Sequence, residues 1–136
     1  MFSITSRLKF NRIFKPVNET HCRYRVVLGS AGSGKSVNVA QDFILKLSDT
    51  KYTGANLLVI RKSEGTNRYS TFAELQAVIF RMCGEYWEDF WIINSSRLMI
   101  TSKITGNSII FRGVNDKKQR EKLKSITFPK GKLVWV

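Results

Sequence analysis

Apolar and polar positions along the chain change period several times, and each change marks an element. Tyr24-Arg25-Val26-Val27-Leu28 is a short β-prone run that stops at Gly29. A Gly/Ser-rich turn follows. Beyond it Val39, Ala40, Phe43, Ile44 and Leu47 recur at helical spacing, which predicts a helix with one face toward a core. Residues 48–54 are polar and turn-like. Asn56-Leu57-Leu58-Val59-Ile60 is then a nearly unbroken apolar run, the pattern of a strand covered on both faces. After polar residues 61–70, Phe72, Leu75, Val78, Ile79 and Met82 lie on one side of a second helix, with Gly84 as its stop. Strand, loop, helix, strand, helix is the βαβ order of a parallel sheet.

The pattern then shortens. Residues 90–94, 98–101 and 108–111 read as three brief strands, separated by turns at Ser95-Ser96 and Thr105-Gly106-Asn107. They predict an antiparallel meander, at about 88–113, inserted into an α/β domain. Trp87, Phe90 and Trp91 fall here and read as core more readily than as a base-stacking platform. Residues 116–125 form a short basic helical segment, and Lys132-Leu133-Val134-Trp135-Val136 is another β-prone run. Upstream, residues 16–22 read as a connector. Phe2, Leu8, Phe10, Ile13 and Phe14 are apolar residues expected to pack an N-terminal segment, 1–23, onto a main unit, 24–136. There is no internal repeat.

Composition fits a globular chain: of 136 residues, 43% are hydrophobic and 12% aromatic. Charge adds more. Lys and Arg number 23 against 10 Asp and Glu, a net charge of +13, which favours a polyanionic partner. Residues 112–132 are the densest part, with Arg112, Lys117, Lys118, Arg120, Lys122, Lys124, Lys130 and Lys132 against Asp116 and Glu121. They read as a solvated face, a nucleic-acid backbone contact or a subunit interface. Cys22 and Cys83 lack metal-ligand spacing and read as free thiols. His21 is the only histidine, which disfavours His-based metal or triad chemistry. No run reaches the roughly 20 apolar residues of a membrane span, and the N-terminus has no clean signal-peptide pattern.

One motif carries chemistry. Gly29-Ser30-Ala31-Gly32-Ser33-Gly34-Lys35-Ser36 satisfies G-x-x-x-x-G-K-[ST] between a β-prone run and an amphipathic helix. Glycines let the backbone curl so that N–H groups face phosphate oxygens, and the helix adds its unpaired N–H groups and dipole. Lys35 is the residue type that reaches β- and γ-phosphates, and a Ser36 hydroxyl is a Mg²⁺ ligand. Nucleoside triphosphate hydrolysis also needs acids following an apolar strand. Asp42, Asp49, Glu64, Glu74, Glu85, Glu88, Asp89, Asp116 and Glu121 all fall in helical or loop contexts. No Mg²⁺-binding acid or water-orienting base is therefore nameable.

Several segments in order resemble the N-terminal ATPase region of phage terminase large subunits. They are Phe14-Lys15-Pro16, the run from Tyr24 through Ser36, Leu58-Val59-Ile60-Arg61-Lys62, and Asn67-Arg68-Tyr69-Ser70-Thr71-Phe72. The 106–114 stretch around Phe111-Arg112-Gly113, then Lys122-Leu123-Lys124-Ser125-Ile126, and Leu133-Val134-Trp135-Val136 complete them. The resemblance implies a P-loop NTPase of the additional-strand class: a parallel sheet with helices on both faces, an inserted antiparallel meander, and here an incomplete sheet. It implies ATP and Mg²⁺ as cofactors, with Lys35 catalytic and Arg61 and Lys124 as basic candidates for nucleotide contact. It implies double-stranded DNA, a small terminase subunit and a portal as partners, a homo-oligomeric ring, and the cytoplasm of a bacterial host. Many family members have arginine where Ala31 stands, so that cis contribution is missing. In the family the last strand is followed by two acids, and the sequence is expected to end just before them, giving weak nucleotide binding and negligible turnover. If so, Tyr24 to Leu28 lacks at least one sheet neighbour, which predicts marginal stability or self-association. Two other readings stand beside this one: a prophage remnant that acts only as a binding or assembly module, and another P-loop ATPase such as a helicase-like protein.

Overall fold

A computed structural model describes residues 10–29 and 34–136. The two strongest helical patterns form the expected elements. Helix α2 spans Lys35–Ser48 and buries Ala40, Ile44 and Leu47. Helix α4 spans Ala73–Cys83, buries Leu75, Val78, Ile79 and Met82, and ends where Gly84 turns to φ 59°. Their apolar stripes meet each other and the inner face of a five-stranded sheet, in the order β2 (Trp91–Asn94), β3 (Met99–Ser102), β4 (Ser108–Gly113), β1 (Ala55–Arg61), β5 (Lys132–Trp135).

Strand β1 is interior to the sheet and runs parallel to both its neighbours, β4 and β5. The register places Leu57 beside Ile109 and Val59 beside Phe111. Because successive side chains point to opposite faces, Leu57, Ile109 and Phe111 enter the α2–α4 core while Ile110 and Arg112 point the other way. Trp91, Ile100 and Phe111 are fully buried in this core, and Phe72 meets Phe111 edge-on at 5.1 Å. Each such large apolar side chain contributes about 1.5–3 kcal/mol of burial.

Three buried asparagines stitch the loops to the sheet. Asn56 Nδ2 donates to the carbonyls of Lys130 (2.8 Å) and Lys132 (2.9 Å), while its Oδ1 accepts from the Ser108 amide (2.7 Å). Asn107 Oδ1 accepts from the Gly54 amide (2.8 Å), and its Nδ2 donates to the Tyr52 carbonyl (2.9 Å). Asn67 Nδ2 donates to the Arg112 carbonyl (2.7 Å) across the end of the sheet. It closes the short helix α3 (Glu64–Asn67), from which a π-helical stretch, Arg68–Phe72, leads into α4. The side-chain amides of these three asparagines are thereby paired instead of costing their desolvation.

The structure departs from the sequence pattern in four places. Tyr24 to Leu28 forms no strand. Tyr24, Val26 and Leu28 are 77%, 82% and 89% exposed, and the segment is separated from α2 and from Val134, Trp135 and Val136 by a cavity of about 1010 Å³. A β-prone run without a ladder partner has no backbone bonds to make, so propensity alone does not build a strand. The meander exists, as β2 (Trp91–Asn94) and β3 (Met99–Ser102) followed by β4, but it is continuous with the main sheet because β4 also pairs with β1. The expected helices on both faces reduce to two long ones on one face. The short α6 (Lys117–Lys122) reaches the other, where Lys122 shares a cavity with Ile110 and Arg112. The 16–22 connector contains helix α1 (Lys15–Glu19), started by Pro16 in its first turn, where a missing N–H costs nothing. The short α5 (Trp87–Phe90) precedes β2.

Of the N-terminal apolar residues, Phe14 is buried, Phe10 and Ile13 are exposed, and Phe2 and Leu8 lie outside the described residues. Asn18 and Asn38 exchange reciprocal amide hydrogen bonds of 2.9 Å, tying α1 to the first turn of α2.

Candidate functional site

The Gly29 to Ser36 motif ends at the N-terminus of α2, and Ser30, Ala31, Gly32 and Ser33 lie outside the described residues. Gly34 is the residue before the helix, with φ 87°, a left-handed conformation suited to glycine. Gly34 itself provides no capping side chain for the first-turn N–H groups of this 14-residue helix. The helix dipole places its positive end there. Lys35 is half-buried and Ser36 exposed. The Lys35 ammonium donates to the carbonyl of Gly29 at 2.5 Å, which links the last part of the motif back to its first residue.

Beside Lys35 and Ser36 is a cavity of about 360 Å³. Val39, Ala40 and Phe43 of α2, Leu57 to Ile60 of β1, and Val136 beyond the end of β5 form much of its wall. Ile60 and Val136 mark the carboxyl ends of parallel strands, the edge at which open α/β sheets present ligand sites. Lys35, Ser36 and the helix N-terminus they open thus border one cavity. That donor set suits the oxygens of a phosphate, with the apolar wall beside it available to a larger group.

Glu74 lines the same cavity. It stands in the first turn of α4, half-buried. In the sequence it is simply a polar position beside Leu75 on a helix distant from the motif. Only the packing of α2 against α4 brings it near Lys35, and no local pattern signals that.

The two other basic candidates sit elsewhere. Arg61 is exposed at the carboxyl end of β1, opposite Gly113. Lys124 is exposed in the 3-10 turn Leu123–Ser125. Neither lines the Lys35 cavity. Among the described residues the ion pairs join Asp42 to Lys46 (2.8 Å) and to Arg25 (4.0 Å). Among the same residues no cluster of three or more His, Cys, Asp or Glu could hold a metal ion. Trp91 is core, Phe90 packs against that core, and Trp87 meets Phe80 edge-on at 5.4 Å. Cys22 is exposed and Cys83 buried, and neither forms a disulfide among the described residues. No helix among the described residues is long and apolar enough to cross a membrane.

Comparison with known proteins converges on one family. A family model described as phage terminase large subunit matches residues 21–136. The terminase large subunit of Bacillus phage SPP1 is 34% identical over 110 residues, which cover 80% of this chain and 24% of that protein. The chain therefore spans about a quarter of the length of this curated relative. No solved structure matches the chain significantly.

Proposed function

The chain belongs to the phage terminase large subunit family, and from that premise we propose that it supplies the ATP-binding part of a motor that packages double-stranded DNA. One observation carries the nucleotide reading: a complete G-x-x-x-x-G-K-S motif whose Lys35 and Ser36 open a 14-residue helix beside a cavity at the carboxyl edge of a parallel sheet. In this reading the backbone of Gly29 to Ser36, including Ser30, Ala31, Gly32 and Ser33, cradles the phosphates. Lys35 leaves the Gly29 carbonyl to meet the β- and γ-phosphates, and Ser36 gives its hydroxyl to Mg²⁺. The metal supplies charge neutralisation of the triphosphate.

The finer fold assignment is part of the same proposal. Strands β4-β1-β5 run parallel, β5 is exposed, and the apolar Val26 and Leu28 lie on its side of the molecule without a ladder. A P-loop NTPase of the additional-strand class would seat that segment as a strand. Duplex DNA as substrate is supported by the net charge of +13 and the exposed lysines of residues 115–132. The small subunit, the portal, a ring of copies and a host-cytoplasmic setting follow from the family reading.

Titration with a fluorescent ATP analogue and Mg²⁺, read by anisotropy, tests the nucleotide assignment. Lys35→Ala is expected to weaken binding at least about tenfold, the loss of one charge-assisted phosphate contact. Unchanged affinity in that variant would remove the assignment.

A further inference from the structure

The face of the sheet turned away from α2 carries a second cavity, of about 470 Å³. Arg97, Arg112 and Lys122 line it with Ser125 and Thr127, over a floor that includes Met99 and Ile110. These residues come from three separate parts of the chain. Arg112 is on β4, Arg97 in the turn between β2 and β3, and Lys122 at the end of α6. We propose that Arg97, Arg112 and Lys122 form a second phosphate-binding site, separate from Lys35, for a phosphate of a nucleic-acid backbone or of a free nucleotide.

The elements that carry these cations are fixed in place. The turn holding Arg97 includes Leu98 at φ 50°, the one left-handed non-glycine residue among those described. That backbone is disfavoured for a residue with a Cβ, and burial of the Leu98 side chain (4% exposed) keeps it there. Asn94 Oδ1 accepts from the Arg97 amide (3.0 Å), and Arg68 donates to the Ser95 carbonyl (2.7 Å). On the other wall, Asp116 caps α6 by accepting from Gln119, and the chain at Gly113 lies too close to Ser63 and Glu64 for any side chain. A strained turn and a crowded glycine thus hold Arg97 and Lys122 at the rim of a cavity that Arg112 enters from the sheet.

The cations are available. The Arg97 and Lys122 side chains make no hydrogen bond or ion pair among the described residues, and Arg112 uses one guanidinium N–H on the Phe111 carbonyl (2.9 Å). Glu64 is the single carboxylate in the wall and is paired with none of them. The Ser125 hydroxyl donates to the Lys122 carbonyl (3.2 Å), and the two guanidinium forks, the ammonium and the Thr127 hydroxyl match the several oxygens of a phosphate better than the two of a carboxylate. The DNA arm of this proposal rests on the substrate reading above; the free-phosphate arm does not.

The test uses the 136-residue chain in a Lys35→Ala background, which weakens the first site. Probes are a short labelled DNA duplex and inorganic pyrophosphate, measured by anisotropy and calorimetry, with circular dichroism confirming each variant's fold. The pocket pair Arg97→Gln/Lys122→Gln is compared with a charge-matched surface pair, Lys117→Gln/Lys118→Gln. The pocket pair is expected to lose roughly tenfold in affinity for at least one probe, beyond any loss in the surface pair. For duplex DNA the slope of log affinity against log salt is expected to fall by roughly two contacts' worth. Loss of duplex binding alone identifies a backbone phosphate, and loss of pyrophosphate binding alone identifies a free one; either supports the site. Equal losses in the two pairs overturn it while leaving duplex binding intact as a general surface property. If duplex does not bind the chain and pyrophosphate binding ignores Arg97 and Lys122, the site and the substrate reading both fall.

Discussion

Gly131→Ala tests how β5 is anchored beside the candidate nucleotide cavity. Gly131 has φ 77°, and a Cβ built there would lie 2.1 Å from the Gly54 oxygen and 2.4 Å from its Cα. Both atoms are backbone, so no side chain can swing aside. The same contact carries the start of β5: the Lys132 amide donates to the Gly54 carbonyl at 3.0 Å, and Asn56 brackets residues 130 and 132. Left-handed strain costs about 1–2 kcal/mol and forced overpacking about 1–3 kcal/mol more, so Gly131→Ala is expected to lose about 2–5 kcal/mol. Gly54→Ala is the internal control. Its φ is 93°, but its Cβ would meet nothing closer than the Gly131 Cα at 3.8 Å, so only the strain of about 1–2 kcal/mol applies. Urea unfolding, followed by far-ultraviolet circular dichroism and by the fluorescence of Trp135 on β5, measures both. Equal losses in the two variants, within about 0.5 kcal/mol, the limit for independent values, would refute the reasoning.

Other outcomes follow from the same structure. Asn107→Ala removes the partner of the part-buried Gly54 amide and Tyr52 carbonyl, and is expected to lower unfolding free energy by about 1–3 kcal/mol in urea titration. A thiol reagent on the native chain should modify Cys22 quickly and Cys83 only as fast as the chain opens; fast labelling of both would contradict the burial of Cys83. Leu133, Val134 and Val136 are exposed along an edge strand, so sedimentation velocity should show concentration-dependent self-association that Val134→Lys reduces. Identical profiles for the two chains would exclude this edge as the contact.

Much of the fold was legible because local periodicity and tertiary burial agree. The stripe of Ala40, Ile44 and Leu47 and that of Leu75, Val78, Ile79 and Met82 are the buried faces of α2 and α4. The apolar run at 56–60 is an interior strand, paired on both sides. The motif ending in Lys35-Ser36 was legible because it depends on a few consecutive residues, and its last two do open the helix that follows. Asn56 and Asn107 were less legible. In the sequence one is a polar residue next to an apolar run and the other a turn residue, whereas in the fold both are buried brackets for distant backbone.

Composition and periodicity therefore determined, from the sequence alone, an α/β core, its two main helices, an interior strand and its basic character, while the family resemblance rested on several segments taken in order. Tertiary structure decided what depends on a partner. A strand needs a neighbour, and Tyr24 to Leu28 has the propensity without the ladder. A charged cluster needs convergence, and Arg97 joins Arg112 and Lys122 only because the β2–β3 turn folds toward β4 and α6. An acid beside the motif needs helix packing, and Glu74 reaches the Lys35 cavity through α4. Periodicity records which face of an element is buried; which elements meet there is set by long-range contacts that no local pattern encodes.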